Sequence, residues 1–173
     1  EDKLLSLIDS SHNNIKEIKK LLEKNVKLEE RNSSGMTALM LATYKGNIEK
    51  VKLLLKYGSD VNAKDYKSKT ILMYAVEKNY KSIVKLLVES GAKVKEKDNS
   101  FESVLTKVIS TNNRELIKYF IRNGSDLNEK FGFPKQSLLI YFAEQNELEI
   151  VKLLIENGIS YSEENLKFVM NKF

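Results

Sequence analysis

GMTALMLATYKGNIEKVKLLLKYGSDVNAKD, residues Gly35 to Asp65, holds a turn, a short helix, a Gly break, a second helix and a Gly-terminated exit. The same pattern then recurs. Gly58, Gly91 and Gly124 lie 33 residues apart, and Gly158 follows after 34. Thr37, Thr70, Ser103 and Ser137 keep that spacing, as do Leu39, Leu72, Leu105 and Leu139. The pair Leu53-Leu54 returns as Leu86-Leu87, Tyr119-Phe120 and Leu153-Leu154. Independent columns share one period and one single-residue insertion between Gly124 and Ser137, which identifies an internal repeat.

Each unit reads as two short helices. The first begins at Thr37, Thr70, Ser103 or Ser137, whose hydroxyl oxygen can accept a hydrogen bond from a free amide of the opening turn. It ends at Gly46, Asn79, Asn112 or Asn146, the residue types that best tolerate a left-handed backbone. The second helix spans Ile48 to Lys56, with Ile48, Val51, Leu54 and Leu55 at helical spacing on one face. Gly58 and its equivalents terminate it. Ser59 to Lys64 has no helical period and leads into the next unit as a hairpin-like finger.

With T-x-L at the first helix, Leu-Leu before a Gly and Gly-Ser-Asp-Val-Asn-Ala after it, the chain resembles the ankyrin repeat family over residues 4 to 161. Of the family's T-P-L-H-x-A signature, Thr37-Ala38-Leu39-Met40-Leu41-Ala42 and Thr70-Ile71-Leu72-Met73-Tyr74-Ala75 both lack the Pro and the His. The family's Thr–His bond is therefore replaced, and Met packing is expected in its place. The resemblance implies an all-α solenoid of stacked helix-turn-helix repeats with short hairpin fingers and capping half repeats. One repeat domain is expected over 1–173. A capping repeat occupies 1–31, repeats follow at 32–64, 65–97, 98–131 and 132–161, and a capping helix spans 162–173. In that helix Leu166, Val169, Met170 and Phe173 form one apolar stripe, expected to cover the open end of the stack. The fourth repeat departs most. Phe142 stands where earlier repeats have Ala42 and Ala75, and Phe131-Gly132-Phe133-Pro134 alters its finger.

Catalysis needs convergent polar groups, and few are present. There are no cysteines, so disulfides, thiol chemistry and cysteine metal sites are excluded. His12 is the single histidine and reads as a surface residue. No Gly-rich loop has phosphate-binding spacing. The pairs Glu49/Lys52, Glu115/Lys118 and Glu149/Lys152, three apart on helices, read as surface ion pairs. Neither enzyme activity nor a cofactor is expected, and no apolar run approaches the ~18 residues of a membrane span. The chain begins Glu1-Asp2 without Met. Localisation stays open between the cytoplasm by default and export through a removed leader.

In this family the fingers and first helices line a concave surface that binds proteins, and the expected function is non-catalytic protein–protein interaction by a monomer. Candidate contacts are Met36, Tyr44, Lys45, Tyr66, Lys67, Lys69, Lys78, Phe101, Glu102, Phe133 and Lys135, with Tyr66, Phe101, Phe131 and Phe133 as exposed aromatic anchors. Phe131 and Phe133 have a second reading, as a small cluster packed beneath their own finger. Arg31, Lys64, Lys97 and Lys130 form one column near the finger tips, a cation ladder with layers ~10 Å apart that favours an acidic partner. The net charge of +5 agrees in sign. Each of these cations has an acidic neighbour, so a solvated charged face is the competing reading. Two further functions stay open: an exported effector or enzyme inhibitor, and a binder of nucleic acid or another polyanion through the basic fingers.

Overall fold

The computed structural model describes residues 2–173. Its contacts divide the chain into two compact units, Glu1–Lys107 and Val108–Phe173.

The first unit holds α1 (Lys3–Asp9), α2 (Ile15–Leu22), α3 (Ala38–Tyr44), α4 (Ile48–Lys56), α5 (Ile71–Glu77), α6 (Lys81–Glu89) and the start of α7 (Val104–Ser110). Helices of two turns are unstable alone, so packing has to hold them. In α3 the run Ala38–Thr43 is buried, and in α5 the run Ile71–Val76. The second helices are amphipathic. Val51 and Leu54 of α4, like Val84 and Leu87 of α6, are fully covered while their outer faces stay wet. Each such aliphatic side chain contributes about 1.5–3 kcal/mol. Pairs α3/α4 and α5/α6 are antiparallel hairpins, α1 packs on α3, and α3 packs on α5.

Hydroxyls start the first helices as expected. Thr37 and Thr70 accept from Met40 N and Met73 N at 3.4 and 3.2 Å. The missing histidine is replaced by a thioether: Met73 Sδ accepts the Thr70 amide at 3.4 Å, with both Met40 and Met73 buried. The turn column is left-handed at Gly46, Asn79, Asn112 and Asn146.

One charged side chain here is buried. Lys50 of α4 is 2% exposed. Its ammonium donates to the carbonyls of Leu7, Ile8 and Ser10 at 3.1, 3.2 and 2.9 Å, which closes the C-terminal end of α1. The dipole of α1 and three acceptors oppose the burial penalty on this charge without cancelling it, and burial, with Lys45 nearby, holds the ammonium below the ordinary lysine range.

The second unit holds α8 (Arg114–Arg122), β1 (Lys130–Phe131), β2 (Gln136–Ser137), α9 (Leu138–Glu144), α10 (Leu148–Glu156) and α11 (Glu163–Lys172). The strands form the one regular finger hairpin, Lys130 opposite Ser137 and Phe131 opposite Gln136. Between the paired residues lie six positions, where the Lys64–Thr70 bridge of the first unit encloses five. The insertion is therefore inside this finger. Phe142 is buried beneath it. Ser162 caps α11 as expected, and α11 packs on α9. The apolar stripe of α11 is narrower than the sequence suggests: Val169 is buried, but Met170 and Phe173 are 71% and 48% exposed.

Lys50→Met keeps the aliphatic stem and removes three donors from the α1 carbonyls. A loss of about 2–4 kcal/mol in urea unfolding is expected, with faster amide exchange in α1.

Candidate binding surface

Each finger of the first unit is shaped by one side-chain oxygen. Asp65 Oδ1 accepts from Lys67 N and Lys69 N at 2.8 and 2.9 Å. Asp98 Oδ1 does the same with Ser100 N and Glu102 N at 2.9 and 3.1 Å. Asn32 Oδ1 takes Ser34 N and Met36 N, both at 3.0 Å. Such a turn places the residue three positions on in the left-handed region, and Gly35, Ser68 and Phe101 have φ of +79°, +59° and +60°. The position suits glycine, tolerates serine and is strained for phenylalanine.

The remaining oxygen of each aspartate reaches the first helix. Asp65 Oδ2 accepts from the Tyr74 hydroxyl at 2.6 Å, and Asp98 Oδ2 pairs with the Lys107 ammonium at 2.8 Å. Lys107 also meets Glu102 at 3.1 Å and Glu77 at 3.3 Å, while Glu77 pairs with Lys69. Lys69 lies 4.1 Å from the Tyr74 ring centre, Tyr74 meets Tyr44 edge-on at 6.0 Å, and Lys78 lies 4.5 Å above Tyr44. These seven cation–π, aromatic and ionic links make one continuous network. Burial opposes the Lys107 charge, but the bonds to Asp98 and Glu102 outweigh it and hold the ammonium above the ordinary lysine range. For Asp98, burial is likewise overcome by Lys107 and by the amides of Glu102 and Ser100, so its pKa is depressed.

The predicted contact residues divide accordingly. Lys69, Lys78, Tyr44 and Glu102 come together, but tied to one another. Lys45 pairs with Asp9 at 2.8 Å. Met36 is buried and presents no surface. The cation ladder is engaged inside the protein: Arg31 Nη1 donates to the Gly35 and Lys64 carbonyls at 2.7 and 2.6 Å, and Lys64 pairs with Glu96. Lys97 and Lys130 are exposed. What stands clear is the row of finger tips. Tyr66 lies over Gly35, where an added Cβ would sit 2.7 Å from the ring, and is still 68% exposed. Phe101 is 83% exposed. The tips that carry them are joined by Asn99 N donating to Lys67 O at 3.0 Å, and Lys67 itself is exposed.

In the second unit Phe131 and Phe133 split between their two readings. Phe131 packs edge-on against Tyr141 at 4.9 Å, while Phe133 is fully exposed, beside exposed Lys135. A cleft of about 540 Å³ lies between Phe131, Tyr141, Asn112 and Gln145, with the Arg114–Glu147 ion pair at its rim. Lys118 reaches Glu149 of the next repeat at 2.6 Å, rather than serving only within its own helix.

Sequence reading missed the roles of Asp65, Asp98 and Lys107, although the recurrence of Asp65 and Asp98 at one 33-residue register was available as a signal. It also missed Asn62 and Asn128 on the opposite edge. Asn62 Oδ1 accepts from Lys93 N at 2.8 Å and its Nδ2 donates to Gly91 O at 3.1 Å, and Asn128 Oδ1 accepts from Ser160 N at 3.2 Å. These fasten one repeat exit to the next within each unit.

Among the described residues no cluster of His, Asp or Glu is arranged to hold a metal ion, and no helix is long and apolar enough to cross a membrane. A family profile described as ankyrin repeats, three copies, matches residues 7–98, more than half of the sequence. The chain belongs to the ankyrin repeat family, and its fold class is the all-α ankyrin solenoid. Members of this family are generally protein–protein interaction modules and typically non-catalytic scaffolds. A search among curated proteins found no match.

The Asp98–Lys107 pair makes stability depend on pH at both extremes. Its acid-side contribution is full above the unfolded Asp value near 3.8 and is lost as pH falls through the lower folded value. Its alkaline-side contribution is full below 10.5 and is lost as pH rises through the higher folded value. Lys107→Met is expected to cost about 1.5–3 kcal/mol at pH 7. That difference should shrink below pH 3, in urea unfolding followed across pH.

Proposed function

We propose that the protein is a non-catalytic recognition module that binds a partner protein through the finger tips of its first unit, with Tyr66 and Phe101 as anchors and Lys67 as the adjoining cation. The observation that carries this is the strained backbone of Phe101. An aromatic residue at φ +60° and 83% exposure costs the fold about 1–2 kcal/mol and returns little by burial. Such a residue is explained by contact with something outside the chain.

Charge supports an acidic partner. The segment Glu1–Lys107 carries twenty-one Lys and Arg against fifteen Asp and Glu, a net +6, whereas Val108–Phe173 has eight against nine, a net −1. A field of that sign speeds association with an acidic surface. The polyanion reading loses support, because Lys64 in the middle of the ladder is neutralised by Glu96.

Phe101→Gly relieves the backbone and should raise stability by about 0.5–1 kcal/mol in urea unfolding. The same variant, and Tyr66→Ala with Lys67→Ala, should each lose the protein captured by the intact chain in affinity pull-down. Undiminished capture by both would refute the assignment of this surface.

A further inference from the structure

Of the three fingers in the first unit, the first lacks the bridge that closes the other two. Asp65 and Asp98 spend Oδ2 on Tyr74 and Lys107, each nine residues further on. Asn32 keeps the two turn bonds with its Oδ1, but the residue in the facing position is Leu41, which has no polar atom. The Nδ2 of Asn32 meets no acceptor among the described residues. A cleft of about 430 Å³ opens there, bordered by α1, the first finger and α3.

Leu5 and Leu41 give this cleft an apolar wall, and Arg31 lines it beside Asn32. Arg31 gives Nη1 to two carbonyls and forms no ion pair with a carboxylate among the described residues. Of the two acids in the lining, Asp9 has a counter-charge and Asp2 gives one oxygen to backbone amides. Asp2 accepts from Leu4 N and Leu5 N at 2.7 and 3.2 Å, and Asp9 is paired with Lys45. The cleft therefore offers the guanidinium N–H groups that Arg31 does not spend on those carbonyls, and the Asn32 amide donor, next to aliphatic carbon, in the unit of net +6.

We propose that this cleft receives a glutamate side chain of the partner protein, with its carboxylate held by Arg31 and Asn32 Nδ2 and its methylenes against Leu5 and Leu41. A planar guanidinium matches a carboxylate in geometry as well as charge, and two methylenes need an apolar wall that an aspartate would leave unused. This deepens the protein-recognition reading and rests on it for the source of the glutamate.

The probe is N-acetylglutamate N-methylamide, titrated into the isotope-labelled full chain and followed by NMR. The Asn32 side-chain amide and the Arg31 Nε–H should shift and saturate with a millimolar dissociation constant, as befits a fragment of this size. The glutamine analogue should bind at least tenfold more weakly. Asn32→Asp preserves both turn bonds, as Asp65 and Asp98 do in their own fingers, but replaces the donor by a carboxylate, and should abolish the response. Asn32→Asp with Leu41→Tyr should recreate the Asp65–Tyr74 arrangement, stay folded by circular dichroism, close the cleft and show no shifts. Equal shifts from the glutamine analogue or from inorganic phosphate, or unchanged binding by Asn32→Asp, would overturn the proposal. Partner capture through Tyr66 and Phe101 is read separately, so glutamate binding without capture counts against the finger-tip surface and leaves the cleft standing.

Discussion

The finger oxygens at Asn32, Asp65 and Asp98 are the constraint on which the finger side of the first unit depends. Each ties down two amides that a tight turn would otherwise leave exposed or unpaired. By doing so it dictates a left-handed residue near the tip and aims the second side-chain atom at the first helix. Finger conformation, the strained position and the bridge to the helix are thus consequences of one small polar side chain. Where that side chain is absent, in the fourth finger, an aromatic contact between Phe131 and Tyr141 takes its place and the hairpin is one residue longer.

Once the fingers are built this way, most of the charge nearby has work inside the protein. Lys69, Lys107, Glu77, Asp98 and Glu102 neutralise one another, and Tyr44 and Tyr74 are clasped by lysines. The network fixes side chains that would otherwise cost rotamer entropy on binding. Tyr66, Phe101 and Lys67 lie outside the network and stay exposed.

The repeat architecture was legible because it is written in many columns at once. Thr37, Leu39, Leu54 and Gly58 each return at the same interval, so helix starts, cores and exits were placed before any contact was seen. The methionine substitution for the family histidine was legible too, since only Met40 and Met73 offered a buried replacement. Charge was harder to read. Lys50 looks like any surface lysine on an amphipathic helix, and only the approach of α1 reveals three carbonyls waiting for it. Arg31 and Lys64 share a register with Lys97 and Lys130 and yet are engaged by the protein's own carbonyls and Glu96, because a long flexible side chain leaves its sequence position undetermined as to direction. Phe131 and Phe133, two residues apart, could not be told apart until the hairpin pairing set one inward and one out.

The thioether at the start of α5 has a consequence for the setting in which this scaffold can work. An imidazole there would bring an ionisation near 6.5 into the centre of the repeat. Met73 and the hydroxyl of Thr70 make the same closure with groups that do not titrate. Helix starts held in this way gain and lose no proton between mildly acidic and neutral compartments. The repeat interior is in that sense deaf to acidification, and His12 is left as the chain's single histidine, exposed at the far end of α1.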